Sequence, residues 1–105
     1  MALIKGISEA KKYVFRLLEI RPRSTNELQG KLKTKGYAPE VIEQVIDFLI
    51  KTKFLDDVIF ARLWIESRIK KPMGLDRLRN ELKLKGIDKA IIEEALTRAK
   101  AHYNE

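Results

Sequence analysis

The chain of 105 residues contains no cysteine and a single histidine, His102. Without cysteine it can form neither a disulfide framework nor a metal site with thiolate ligands. One histidine near the C-terminus is more typical of a solvated last-turn residue than of a general base or a metal ligand. We therefore expect no enzymatic activity, no cofactor and no small-molecule substrate.

Long apolar runs are also missing. No segment approaches the roughly 20 apolar residues that a membrane-spanning helix needs, and the apolar run in residues 1–7 is too short for a signal peptide. A membrane-surface helix over residues 58–71 is a weaker alternative, because its apolar residues are needed in a core. We expect a cytoplasmic protein without a membrane partner, and the lack of cysteine fits a reducing compartment.

The charge is strongly positive. Lysine and arginine number 22, aspartate and glutamate 15, and the formal net charge is +7. Residues 1–55 hold 11 basic and 6 acidic groups, whereas residues 56–105 hold 11 and 9. This balance favours a polyanionic partner or an acidic protein surface.

The sequence contains an internal repeat with a period of 50 residues. The segment Leu32–Tyr37 returns 50 positions later as Leu82–Ile87. The same spacing relates Pro22 to Pro72, Leu28 to Leu78 and Ile42 to Ile92. A fixed period of this length indicates stacked supersecondary units, which usually act by presenting a surface to a partner.

Apolar residues at helical spacing predict an all-α fold of two tandem three-helix repeats, solenoid-like and resembling a helix-turn-helix. The repeats are expected at residues 1–55 and 56–105, as one continuous folded unit. The predicted helices cover residues 8–20, 24–36, 39–52, 56–70, 75–86 and 88 onward. The residues expected to face the core are Ala10, Val14, Leu17, Leu18, Leu28, Leu32, Val41, Ile42, Val45, Ile46, Leu49, Phe60, Ala61, Trp64, Ile65, Leu75, Leu78, Leu82, Ile91, Ile92, Ala95, Leu96 and Ala99.

Local signals mark the helix ends. Ser24 and Glu27 have the spacing of a capping box. Gly36 and Gly86 are expected to end the second and fifth helices in the left-handed conformation. Asp88 is expected to cap the sixth helix, and a carboxylate of the 56–57 pair the fourth.

Three motifs resemble those of the RecX regulatory proteins. Residues 21–28 (Arg-Pro-Arg-Ser-Thr-Asn-Glu-Leu) resemble the signature of their first repeat. Residues 54–61 (Phe-Leu-Asp-Asp-Val-Ile-Phe-Ala) are similar to their junction motif, and residues 74–87 to the core of their second repeat. The order and spacing of the three motifs make the match specific, and it covers about residues 10–100.

The resemblance implies a non-catalytic modulator of the bacterial recombinase RecA, most often an inhibitor. Members of the family are built of tandem three-helix repeats and are thought to lie in the groove of the RecA filament on single-stranded DNA. The family pattern usually has three repeats, of which this chain carries two.

Basic residues surround the second helix and its repeat mate, the fifth. The expected partner contacts are Arg21, Arg23, Lys31, Lys35, Lys70, Lys71, Arg77, Arg79, Lys83 and Lys85. Lysines in a last turn are also ordinary helix-end residues, which accounts for Lys35 and Lys85. Arg77 and Arg79 lie early in a helix, where positive charge is mildly unfavourable, so a contact role is favoured for them.

Two functions remain open from the sequence. The first is a protein that binds the RecA filament and modulates it. The second is a basic helical module that binds single- or double-stranded DNA directly, with an affinity that falls steeply with salt.

Overall fold

The structure, a computed structural model, describes residues 6–68 and 74–103, with only the backbone described for the last two. These residues form six helices and no strand, which confirms the all-α expectation. The helices are α1 Ile7–Ile20, α2 Thr25–Thr34, α3 Pro39–Lys51, α4 Asp57–Arg68, α5 Leu75–Leu84 and α6 Lys89–Tyr103. None of them combines the length and the apolar character that crossing a bilayer requires.

The chain divides into two compact units, Met1–Asp56 (unit 1) and Asp57–Glu105 (unit 2). Each unit has a long, a short and a long helix, as the repeat predicts. The expectation that the two repeats form one continuous folded unit stays a prediction.

The core of unit 1 lies where α1 and α2 both pack on α3. Val14, Leu28, Leu32, Val45 and Leu49 are fully buried in it. These residues recur every three or four positions within each helix, so each helix turns one apolar face inward. Leu17 and Leu18 pack against this core at its edge and stay partly exposed.

The core of unit 2 repeats this arrangement with α4, α5 and α6. Its buried members are Phe60, Ala61, Ile65, Leu78, Leu82, Ile87, Ile92, Ala95, Leu96 and Ala99. Trp64 was expected in this core, but it is only half-buried and packs against the core edge. Ile59 and Leu63 of α4 are 49% and 43% exposed, so the core takes up only part of the apolar residues of this helix.

The two glycine turns are the same structure. Gly36 and Gly86 have φ of 92° and 78°, in the left-handed region that the sequence predicts for them. The Tyr37 amide donates to the Leu32 carbonyl and the Gly36 amide to the Lys33 carbonyl, and unit 2 has the same pair of bonds. This pairing is a Schellman motif, which satisfies carbonyls left open at a helix end.

The spacing of 50 residues holds for two of the three helices in each unit. It relates Leu28 to Leu78 and Leu49 to Ala99, which are all buried. The first helices differ, because the buried residues Val14 and Ile65 are 51 positions apart. The counterpart of Trp64 in unit 1 is therefore Tyr13 and not Val14.

Candidate partner-binding surface

Two of the arginines expected to contact a partner also have contacts within unit 1, at the junction of α1 and α2. Ser24 accepts a hydrogen bond from the Glu27 amide and Glu27 accepts one from the Ser24 amide, which confirms the capping box. The guanidinium of Arg21 lies 2.6 Å from the same Glu27 carboxylate. Arg23 is buried, and its Nε donates to the Leu17 carbonyl at 3.4 Å. Most of the Arg23 side chain is thus enclosed within unit 1, and Arg21 presents a guanidinium that is already paired with Glu27.

The lysines of α2 remain at the surface of unit 1. Lys31 and Lys33 are exposed. Lys35 is exposed as well, and its ammonium lies 5.1 Å from the centre of the Tyr13 ring. An ammonium over an aromatic face is held by a cation–π attraction of about 0.5–1 kcal/mol at such an exposed site.

A cluster of aromatic and cationic side chains lies at the equivalent place in unit 2. The indole N–H of Trp64 donates to the Glu81 carboxylate at 2.9 Å. Arg68 lies 3.2 Å from the same carboxylate and 4.5 Å from the centre of the indole ring. Arg77 lies 3.7 Å from Glu81, and the Lys85 ammonium lies 5.1 Å from the Trp64 ring. We call Trp64, Arg68, Arg77, Glu81 and Lys85 the Trp64 cluster.

The Trp64 cluster contains three cations and one carboxylate, so it carries a net positive charge. Glu81 orients Arg68 and Arg77, the indole ring holds Lys85, and Arg77 keeps 70% of its side chain in solvent. The indole stacks on Phe60 at 5.9 Å, which anchors it to the core from one side. Such an arrangement of cations can bind carboxylates or phosphates.

Arg79 takes part in a different interaction. Its Nε and Nη2 donate to the two oxygens of the Glu93 carboxylate at 2.6 and 3.1 Å, and its Nη1 donates to Asp76. This bidentate pair joins α5 to α6 and lowers the pKa of Glu93. A cation early in α5 is therefore explained within unit 2, by the carboxylates of Asp76 and Glu93.

Of the remaining expected contacts, one lies among the described residues and two lie outside them. Lys83 is exposed on α5. Lys70 and Lys71 lie outside the described residues, as does the side chain of His102. Within the described residues, no group of three potential metal-ligating side chains occurs.

Sequence reasoning missed Trp64 and Arg68 as surface residues. The apolar neighbours of Trp64 in the sequence predict a core position for it. Arg68 lies near the end of the fourth helix, and no sequence pattern predicts a contact role for it. The signal that could have found them is the Tyr13 and Lys35 pair of unit 1. Shifting the first helix by 51 residues and the second by 50 turns this pair into Trp64 and Lys85.

Comparison with protein families agrees with the motifs. A family model described as the first three-helix domain of RecX matches residues 10–49. A model described as the second three-helix domain of RecX matches residues 56–96. The two matches together cover most of the chain, in the order of the two repeats.

Curated relatives carry the same name. The regulatory protein RecX of Prosthecochloris aestuarii is 49% identical over 80 residues, which cover 75% of this chain and 53% of that protein. That of Chlorobium limicola is 38% identical over 90 residues, which cover 85% and 57%. For Clostridium tetani the identity is 36% over 99 residues, with coverage of 89% and 45%. The chain thus spans about half the length of these relatives.

Solved structures share the fold. The crystal structure of RecX from Lactobacillus salivarius superposes with a TM-score of 0.83 at 25% identity, over 87% of this chain and 60% of that one. A second RecX crystal structure gives a TM-score of 0.82 at 25% identity, over 88% and 47%. With both domain models matched and the three-helix units superposed, the chain belongs to the RecX family and carries its first two three-helix domains.

Proposed function

We propose that this chain binds the RecA recombinase filament and lowers its ATPase, recombination and repair activity without catalysing a reaction itself. The observation that carries the proposal is the pair of RecX domains in tandem, in a chain whose relatives are named regulatory proteins. The family resemblance implies that the partner is RecA. The proposed place of the interaction is the cytoplasm.

The Trp64 cluster is the proposed contact in unit 2. Its cations are held in place by Glu81 and by the indole ring, so little side-chain freedom is lost when they meet an anionic partner. Arginine and aromatic residues are also the side chains most often found to dominate binding energy in interfaces. Lys83 in unit 2 is a further exposed cation proposed to contact the partner, and in unit 1 the exposed lysines Lys31 and Lys35 are proposed as contacts of their own.

Co-sedimentation with RecA filaments on single-stranded DNA tests the proposal. The wild-type chain should pellet with the filaments. The double variant Arg77→Gln with Lys85→Gln removes two cations without placing a new carboxylate beside Glu81. We expect it to fold normally and to bind at least about tenfold more weakly, because both cations face the partner.

The matched control is Lys89→Gln with Lys100→Gln. These two lysines are exposed on α6, outside the Trp64 cluster, and the change in net charge is the same. This control should bind nearly as well as wild type. Absence of wild-type binding would refute the proposed function, whereas equal losses in both double variants would refute only the role of the cluster.

Direct binding of single- or double-stranded DNA is the second candidate, favoured by the cations Arg68 and Lys85 that lie over the half-buried indole and can meet phosphates. If the chain contacts six or more phosphates, its affinity for free DNA should fall about a thousandfold between roughly 50 and 200 mM salt. Binding that is unaffected by salt, or that the Trp64 cluster variant leaves unchanged, would exclude this candidate.

A further inference from the structure

A groove runs between α2 and α3 of unit 1, and no residue of the Trp64 cluster takes part in it. Ile42, Ile46 and Ile50 line it from α3 at intervals of four residues, which places them on one face of the helix. Ile46 is buried, whereas Ile50 is 49% exposed. Pro39 and Tyr37 complete the lining toward the glycine turn. The groove therefore has an apolar floor that stays open to solvent at the Ile50 end.

The two units differ in the polar contact that joins the short helix to the last helix. In unit 2, Arg79 of α5 and Glu93 of α6 are joined by a bidentate ion pair across the two helices. The residues 50 positions earlier are Gln29 and Glu43, and both line the groove. Glutamine has no charge with which to pair Glu43, so the bridge between the two helices is missing in unit 1.

The apolar floor also differs between the units. The residue 50 positions after Ile50 is Lys100, which is exposed. Ile42 and Ile46 pack in or against the core of unit 1, whereas Ile50 follows the same spacing but is exposed, so core packing does not account for it. An exposed isoleucine at residue 50, on the same groove as the Glu43 carboxylate that is unpaired among the described residues, indicates a surface that binds a partner.

The edge of the groove on α3 carries two carboxylates, and the exposed Lys33 lines the groove from α2. Glu43 is exposed and forms no ion pair with the described residues. Asp47 lies one turn further on and meets Lys51 at 3.1 Å. Both members of that pair are well over half exposed, and such a pair contributes little to stability. The carboxylates are thus available to a basic group of a partner.

The dimensions suit a helix. From Pro39 to Ile50 the groove follows α3 for about 16 Å, or three helical turns. An amphipathic helix binds such a groove through apolar side chains spaced three or four residues apart.

We propose that the α2–α3 groove of unit 1 docks an amphipathic helix of a partner protein, with its apolar stripe on Ile42, Ile46 and Ile50 and an arginine or lysine against Glu43. This surface is distinct from the Trp64 cluster, and the inference does not depend on RecA being the partner.

A designed peptide provides the probe. It is a helix of about 18 residues with leucines along one face and arginines beside that face. A control peptide has glutamates in place of the arginines. Titration into the ¹⁵N-labelled full chain should shift the amide signals of residues that line the groove, and the arginine peptide should bind at least about tenfold more tightly than the glutamate peptide.

A substitution taken from unit 2 then tests whether the peptide needs the Glu43 carboxylate. Gln29→Arg recreates the counterpart of Arg79 opposite Glu43, on an exposed position where it does not disturb the core. This variant should melt no lower than wild type and should bind the arginine peptide at least about tenfold more weakly, because Glu43 is now paired within the chain. Gln44→Arg makes the same change at an exposed α3 position that does not line the groove, and it should bind like wild type.

Three results would overturn the inference. The two peptides could bind equally, the shifted signals could lie outside the groove, or Gln29→Arg could bind no more weakly than Gln44→Arg. Each of these outcomes would show that the groove does not recognise a basic amphipathic helix.

Discussion

At the scale of single residues, Glu81 distinguishes the two repeats. It accepts the indole N–H of Trp64 and lies within 4 Å of two arginines. The residue 50 positions earlier is Lys31, an exposed cation. The repeats therefore share their buried leucines and differ in the polar residues that face solvent. A function that belongs to only one of the two repeats therefore has to come from these solvent-facing polar residues.

The ion pair of Arg79 with Glu93 should make stability depend on pH in the acid range. Hydrogen bonds from Arg79 lower the pKa of Glu93 below its ordinary value of 4.5. Because the pKa is lower in the folded state, the pair stabilises the fold above that value, and the contribution is lost as the pH falls through the folded-state pKa. Arg79→Gln should reduce the free energy of unfolding at neutral pH, and its difference from wild type should shrink below about pH 4.

Urea unfolding followed by circular dichroism between neutral and acid pH measures this difference. Arg98→Gln is the control, because Arg98 forms only an exposed pair with Glu94 at 3.9 Å. It should change stability little at any pH. A difference between Arg79→Gln and wild type that stays constant down to acid pH would contradict the assigned role of the pair.

At the scale of elements, the glycine turn is the most constant part of the repeat. Both turns place glycine at positive φ and make the same two backbone hydrogen bonds. The turn fixes the angle at which the short helix meets the following long one. The buried residue after it, Tyr37 or Ile87, then inserts into the core of its unit.

Alanine substitution separates the turn glycine from an ordinary one. Gly36→Ala should cost about 1–2 kcal/mol, because an L-residue is strained in the left-handed region. Gly30 lies inside α2 with no atom near the place of a Cβ, so Gly30→Ala should instead stabilise by about 0.8–1 kcal/mol through helix propensity. Chemical denaturation measures both, and equal effects of the two substitutions would mean that the turn is not the constraint described here.

Much of the element structure could be predicted because its signals are local. The capping box at Ser24, the Asp88 cap and the two turn glycines each depend on residues within one turn of a helix end. The burial of Leu28 and Leu82 follows from helical periodicity in the same way.

The interactions that sequence reasoning missed join different helices. Arg79 meets Glu93 across 14 positions, and Trp64 meets Glu81 across 17. The reach of these side chains depends on how the helices pack, and a periodic pattern does not contain that information. The same applies to Arg23, whose charge suggested the surface but whose side chain is buried.

At the scale of the whole molecule, the net charge of +7 favours anionic partners, but the ion pairs decide which cations are available. In unit 2, Asp76, Glu81, Glu93 and Glu94 all meet arginines. Much of the arginine charge there is directed within the unit, and the Trp64 cluster keeps an excess. The surface of unit 1 instead presents lysines and the α2–α3 groove, with its two carboxylates on the α3 edge.

The RecA ATPase rate on single-stranded DNA, titrated with this chain, tests the central claim most directly. Saturating wild-type chain should lower the rate, and Arg77→Gln with Lys85→Gln should need at least about tenfold more protein for the same reduction. A rate that stays unchanged at every ratio of the wild-type chain to RecA would contradict the account.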